Sequence, residues 1–169
     1  MRKLILLLGI FFALTAVCVA QNKKAEKEAA AKAQFDKAVA AIDAKDFVIV
    51  VDTYEDPKDN TLQTNTDMGI FASYEKDFAF LQGTFLTGDN STHRMNVSDY
   101  KQTVDKKENV KIEMQLKGSL LTAKVEIFLK KGGNYADVII TPVKGPAKRF
   151  SGEVIPRTES KYIKRPGMV

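Results

Sequence analysis

One cysteine, one histidine and no tryptophan occur among the 169 residues of this chain. A structural zinc site takes a tetrahedral set of Cys and His ligands, and a catalytic one takes several His or carboxylate ligands with an open position, so most metal sites are excluded. Dithiol redox chemistry needs a second cysteine and is excluded with them. The sequence also lacks a Gly-rich phosphate loop, a nucleophile elbow and a paired-His helix. Cofactor, metal and catalytic residues are therefore each expected to be none. With 44% hydrophobic and 28% charged residues, what remains has the composition of one ordinary globular domain.

The chain opens on Met1-Arg2-Lys3, then an apolar run from Leu4 that ends in Cys18-Val19-Ala20 before Gln21. A basic start, a short apolar stretch and small residues at the positions a signal peptidase reads predict a signal peptide over 1–20, cleaved after Ala20. The expected location is thus exported, periplasmic or extracellular. The competing reading is a lipoprotein anchored through Cys18. Val17 is bulky for the position before a lipidated cysteine, and Thr15 stands where an aliphatic residue is usual, which favours soluble export. Cleavage leaves a chain without cysteine, so an oxidising compartment adds no disulfide.

Without the first twenty residues the net charge is +3, and residues 142–169 alone carry +5. The rest is slightly acidic. Basic character concentrated at one end, rather than clustered on a folded face with aromatics, argues against nucleic acid as a partner.

Three segments follow by pattern. Residues 21–46 are rich in Ala, Lys and Glu, all helix formers, with Ala31, Phe35, Ala38, Val39 and Ile42 at helical spacing. The first ten lack large apolar residues, which predicts a solvated stalk that docks from about Ala31. From Phe47 the spacing alternates: residues 47–156 read as an antiparallel β domain of about eight strands. Val110, Ile112, Met114 and Leu116 interleave with Lys111, Glu113, Gln115 and Lys117, a strand with one wet and one buried face. Leu120 to Leu129, Tyr135 to Thr141 and Arg149 to Ile155 continue it as a meander. Gly83 to Thr92 reads as a mobile polar loop, and residues 157–169 as a basic, poorly ordered tail. The fold class is α+β: an N-terminal helix packed on an antiparallel sheet, curled into a barrel or paired as a sandwich.

This order of parts resembles a family of secreted Bacteroidetes proteins known as a domain of unknown function. The resemblance rests on Ala40-Ala41-Ile42 before Phe47-Val48-Ile49, then Phe80 to Gly83, Val97 to Tyr100, Gly133-Asn134-Tyr135-Ala136 and Phe150-Ser151-Gly152. It spans roughly residues 31–155. The family's hairpin ends Leu-Pro-Tyr-Phe-Gly, where this chain has Phe80-Leu81-Gln82-Gly83; an Arg typical before the last strand is replaced near Gly145. The resemblance implies export and a helix-plus-sheet fold, and implies no activity.

Candidate chemistry is sparse. His93 lies near Asp89, Asp99, Ser91 and Ser98, but relays are set by geometry rather than by sequence proximity, and a strand start explains His93. Asp52, Glu55, Asp56 and Asp59 lack the ordered oxygens and glycine of a calcium loop and read as a solvated turn. Asn90-Ser91-Thr92 and Asn96-Val97-Ser98 match the glycosylation sequon, and Asn as a turn former accounts for both. For binding, a barrel interior open near Gly83 to Met95 would bring Phe71, Phe80, Phe85, Met95 and Met114 around an apolar small molecule. The plainer alternative is that they fill the core. The expected function is a non-enzymatic binding or scaffold module of the cell envelope with an unknown ligand. The alternatives are an envelope interaction protein that uses stalk and tail, with at most weak membrane-surface contact, and, weakest, a hydrolase.

Overall fold

A computed structural model describes residues 2–165 apart from 57 and 120, with side chains from residue 23 onward. The elements are α1 (Arg2–Asp43), β1 (Asp46–Glu55), β2 (Leu62–Thr64), β3 (Phe71–Glu75), β4 (Phe78–Gln82), α2 (Thr84–Thr87), β5 (Thr92–Val104), β6 (Val110–Lys117), β7 (Thr122–Leu129), β8 (Tyr135–Pro142) and β9 (Lys148–Pro156), followed by a 3-10 turn, Arg157–Glu159. All strand pairings are antiparallel, and β1 also pairs with β9. Eight strands, β1 and β3 to β9, close into a barrel; the sandwich alternative falls away. Strand β2 is the ninth, an overhang beside the far half of β1.

Strand alternation builds the interior. On β6 and β7, Val110, Ile112, Met114, Leu116, Ala123, Val125, Ile127 and Leu129 are all buried. Their neighbours face water, where Glu113 meets Lys124 at 3.0 Å and Lys111 meets Glu126 at 3.0 Å. Phe47 and Ile49 of β1, Tyr74 of β3, Leu81 of β4, Val138 of β8 and Phe150 of β9 complete the same cluster. Only about 20 Å³ of empty space remains among Phe47, Ile49, Met114, Leu116 and Ile140. Closure between β9 and β1 depends on Gly152, opposite Val51, where a Cβ would stand 2.0 Å from the Val50 carbonyl oxygen. The register shifts at that point, between Val51 and Thr53, and the strand bends there.

Each end of the barrel has a plug. Helix α1 is exposed over residues 23–30, as the stalk reading expects, and buries Phe35, Ala38, Ala41 and Ile42 in the interior cluster where β1 begins and β9 ends. The helix stops at Asp43, because Lys45 takes a left-handed φ of 53° and its N–H returns to the Ile42 carbonyl. At the other end the expected mobile loop is ordered. Residues 83–92 contain α2, whose Leu86 is fully buried, and Lys148 Nζ donates to the Phe85 carbonyl at 2.7 Å.

The poorly ordered tail is likewise corrected over its described part. Residues 157–165 run back across the outer face of β3 and β4 and cover a second apolar cluster, Val48, Phe71 and Phe80, with Tyr162 against it. We call this segment the strap. The signal-peptide and Cys18 readings fall on side chains outside the described residues, as do Pro57 in the expected turn, Leu120 in the expected strand and residues 166–169 of the expected tail.

Candidate functional site

The five residues expected to share one pocket lie in three places. Met95 and Met114 point inward and are part of the packed interior. Phe85 caps the α2 end, its ring 4.6 Å from Tyr54. Phe71 and Phe80 face outward, beneath the strap. The physical reason is strand phase: Phe71 pairs with Gln82 and Phe80 with Ser73, on the face opposite Ala72, Tyr74 and Leu81. Both faces of β3 and β4 are covered, so both carry apolar residues, and composition alone does not say which face is inside.

His93 is buried, with Nε2 2.8 Å from Asp89 Oδ1. Asp89 also accepts from the Ser91 backbone N–H, and the Thr87 hydroxyl lies beside it. Hydrogen bonds from His93 and Ser91 hold its carboxyl below the usual range. The pair fastens the α2 plug to β5, whereas Ser98 turns to Asp99. In the acidic turn, Asp56 accepts the Lys58 N–H and Asp59 accepts the Thr61 N–H, so both carboxylates close local turns. Glu55 lies 3.5 Å from Arg149. Among the described residues no group of His, Cys, Asp and Glu is placed to hold a metal ion.

A groove of about 460 Å³ is found elsewhere, on the outer wall where β1 passes from β3 to β2. β1 pairs with β3 as far as Val50 and with β2 only from Thr53. The loop over residues 65–70 crosses this fork and satisfies its backbone. Asn65 Nδ2 donates to the Val51 carbonyl at 2.6 Å, the Asn65 N–H to the Asp52 carbonyl, and the Val51 N–H to the Ile70 carbonyl. Val50, Met68 and Ile155 give the groove apolar surface, and Asp52, Asn65, Asp67, Tyr135, Glu153 and strap residues 159–161 give it polar walls. Met68 and Tyr135 are exposed large side chains.

Two of these polar groups are held in place. Tyr135 donates its hydroxyl to Asp52 Oδ2 at 2.7 Å; partial desolvation of the phenol pushes its pKa up, and the Asp52 carboxylate adds to the shift. Asp67 accepts the Gly69 N–H at 2.7 Å and the Arg165 guanidinium at 2.7 Å, and these donors, Gly69 foremost, hold its carboxyl below the ordinary carboxylate range. The arrangement joins an apolar floor to a few oriented polar groups, which is how small-molecule sites are generally built, and its volume lies in their range of roughly 300–1,000 Å³. None of the groove residues except Asp52 and Tyr135 stood out in the sequence, and those two did so for other reasons. Exposed Met68 within a polar stretch was the available signal.

No protein-family model matches the chain, and no curated protein does. Among solved structures it is similar to a DUF4251 family protein from Bacteroides eggerthii. The TM-score is 0.68 at 25% sequence identity, over 79% of this chain and 94% of that one. The resemblance to a Bacteroidetes domain-of-unknown-function family, first seen in strand and turn residues, therefore extends to the fold.

Proposed function

We propose that the protein is an exported, non-enzymatic binding or scaffold module of the cell envelope, and that its ligand is taken on the outside of the barrel, in the groove at the β1 fork. The observation that carries the site is the state of the interior: about 20 Å³ of empty space, with α1 across one end and α2 across the other. A ligand inside would have to displace the core, whereas the groove is open and already oriented. Export rests on the basic start, apolar run and Ala20-Gln21 junction of the sequence.

The second reading, an envelope interaction protein using stalk and tail, is favoured by one half of its premise. Residues 23–30 of α1 are exposed on every side. Its other half is weaker, because Arg157, Lys164 and Arg165 are engaged by Asp46, Glu75 and Asp67. Little of the described tail's charge is left over for a membrane surface.

Native mass spectrometry of the protein recovered from its host, beside an Ile155→Glu variant, tests the first reading. The expected result is a chain beginning at Gln21 with a small-molecule adduct that the variant loses. An adduct that persists in the folded variant would remove the groove from the proposal. A lipidated chain beginning at Cys18 would overturn soluble export.

A further inference from the structure

Residues 162–165 are held as a bound peptide is held, by a surface that reads both backbone and side chains. Gln82, fully buried, uses every hydrogen-bonding position of its amide. Nε2 donates to the Gly69 carbonyl at 2.7 Å and to the Ile163 carbonyl at 2.8 Å, while Oε1 accepts the Arg165 N–H at 2.7 Å and lies against the Thr92 hydroxyl. That hydroxyl, also fully buried, is 3.0 Å from the Arg165 carbonyl. One glutamine thus does for the segment what a neighbouring strand would do, without contributing a strand, and the single Thr92 hydroxyl proton is shared between Gln82 Oε1 and the Arg165 carbonyl.

Tyr162, Ile163 and Lys164 alternate as an extended segment requires, and Arg165 meets the surface as well. The Tyr162 ring meets Phe71 edge-on at 4.6 Å and its hydroxyl donates to Glu75 Oε1 at 3.0 Å. Ile163 points away and is 65% exposed. Lys164 places Nζ 3.6 Å from the centre of the Phe80 ring and 2.8 Å from Glu75 Oε2. Arg165 reaches Asp67 Oδ2 at 2.7 Å and Asn90 Oδ1 at 2.9 Å. Aromatic, free, basic, basic is the order the surface reads, and its two carboxylates face the two cations. No barrel ladder includes these residues: β9 ends at Pro156 and a single 3-10 turn intervenes. The segment can leave without opening a strand pair.

We propose that the outer face of β3 to β5 is a recognition seat for this extended segment, filled here by the chain's own residues 162–165, and that a second copy of the chain fills it in trans by exchanging its C-terminal segment. Every copy carries the same seat and the same segment, so exchange preserves every contact of residues 162–165 described above, and only the connection through Arg157 to Lys161, with its Arg157–Asp46 ion pair, changes course. Within one molecule the local concentration of the segment favours the intramolecular form. Exchange gains ground when chains are crowded together or when the segment of one copy is weakened.

The test uses the full chain carrying Tyr162→Ser and Lys164→Ser, with a fluorescent peptide of residues 158–165 as the probe. Circular dichroism and a cooperative thermal transition establish that the variant is folded. The peptide is expected to bind this chain at least about tenfold more tightly than the wild type, whose seat is occupied. Adding Gln82→Leu to the variant should weaken binding by about tenfold or more, and raised salt should weaken it further. Absence of binding to the folded variant overturns the seat. Native mass spectrometry of the variant mixed with an isotope-labelled wild type should then show mixed dimers whose share grows with concentration. Peptide binding without mixed dimers overturns the second copy as the occupant.

Discussion

The barrel contains two buried apolar clusters, one on each side of β3 and β4, and they are built differently. The inner one joins residues from every barrel strand and from α1, is almost wholly aliphatic and aromatic, and has almost no free volume. The outer one has three fully or nearly buried members, Val48, Phe71 and Phe80, and is closed by a segment that polar groups hold: Gln82, Thr92, Glu75 and Asp67. Apolar packing is strong and unspecific, so it suits the part that must never open. Buried hydrogen bonds and ion pairs add less net stability but demand one geometry, so they suit a contact that must find its register. The inner cluster holds the fold, and the outer one selects what lies on it.

The difference is broken most severely from inside. Phe47→Ala removes a ring packed against Tyr74 at 6.1 Å in a region with no room to collapse into, and should cost about 3–5 kcal/mol in a urea unfolding curve. A loss below about 1 kcal/mol would mean that the interior is looser than its geometry implies. Next in size is Gly152→Ala. Its new Cβ would meet a backbone oxygen, which cannot rotate away, so β1 and β9 must separate at their bend. An overpacking cost of about 1–3 kcal/mol is expected, with amide exchange rising first in β9 opposite Val50 and Val51.

Gln82→Leu sharpens the comparison from the other side. The substitution keeps the bulk and removes an amide that satisfies the Gly69 and Ile163 carbonyls, the Arg165 N–H and Thr92. About 1–3 kcal/mol of strap stability should be lost, while the interior ladders stay intact. Limited proteolysis with trypsin is expected to cut after Lys161 or Lys164 in the variant well before any cut in β6 or β7. Simultaneous cutting in both regions would show that strap and barrel unfold as one unit.

Much of this difference was hidden in the sequence, for identifiable reasons. The meander from β6 to β9 was legible because Val110 to Leu116 and Ala123 to Leu129 alternate with charged residues that face water. The stalk and the docking stripe on α1 were legible through the spacing of Phe35, Ala38 and Ile42. Closure of the barrel was not, since the pairing of Val48 with Ile155 joins residues more than a hundred positions apart and leaves no local trace. Strands covered on both faces lose the alternation that assigns an inside, and this scattered the five expected pocket residues. Gln82 and Thr92 read as ordinary polar positions in a strand, because what makes them special is a segment some eighty residues later. The basic residues of that segment read as a solvated tail, because charge alone does not reveal that Asp46, Glu75 and Asp67 wait for it in the fold. In residues 83–92, the Phe85-Leu86 pair within a polar stretch was the overlooked sign of a plug.

The smallest expected effect is an acid one, and it separates the clusters without a mutation. The Asp67 carboxyl titrates below its ordinary range in the folded chain, chiefly because the Gly69 N–H and the Arg165 guanidinium stabilise the charged form. A group whose folded pKa is depressed contributes stability that is fully present above its unfolded value, about 3.9, and loses it as pH falls from there through the folded value. Protonation therefore weakens the contact at Arg165 only below about pH 3.9, and solvent screening keeps the effect small because Asp67 is largely exposed. Val138, Ile139 and Ile140 of β8 have no charge to lose, unlike β6, where Lys124 and Lys111 hold the Glu113 carboxyl well below its ordinary range. Hydrogen-exchange protection factors, corrected for the intrinsic pH dependence of exchange, should fall for residues 161–165 between neutral pH and pH 3 while those of residues 138–140 hold. A parallel loss in both would mean that the strap is an integral part of the barrel, and the division between a core that holds the fold and a face that selects its occupant would fail.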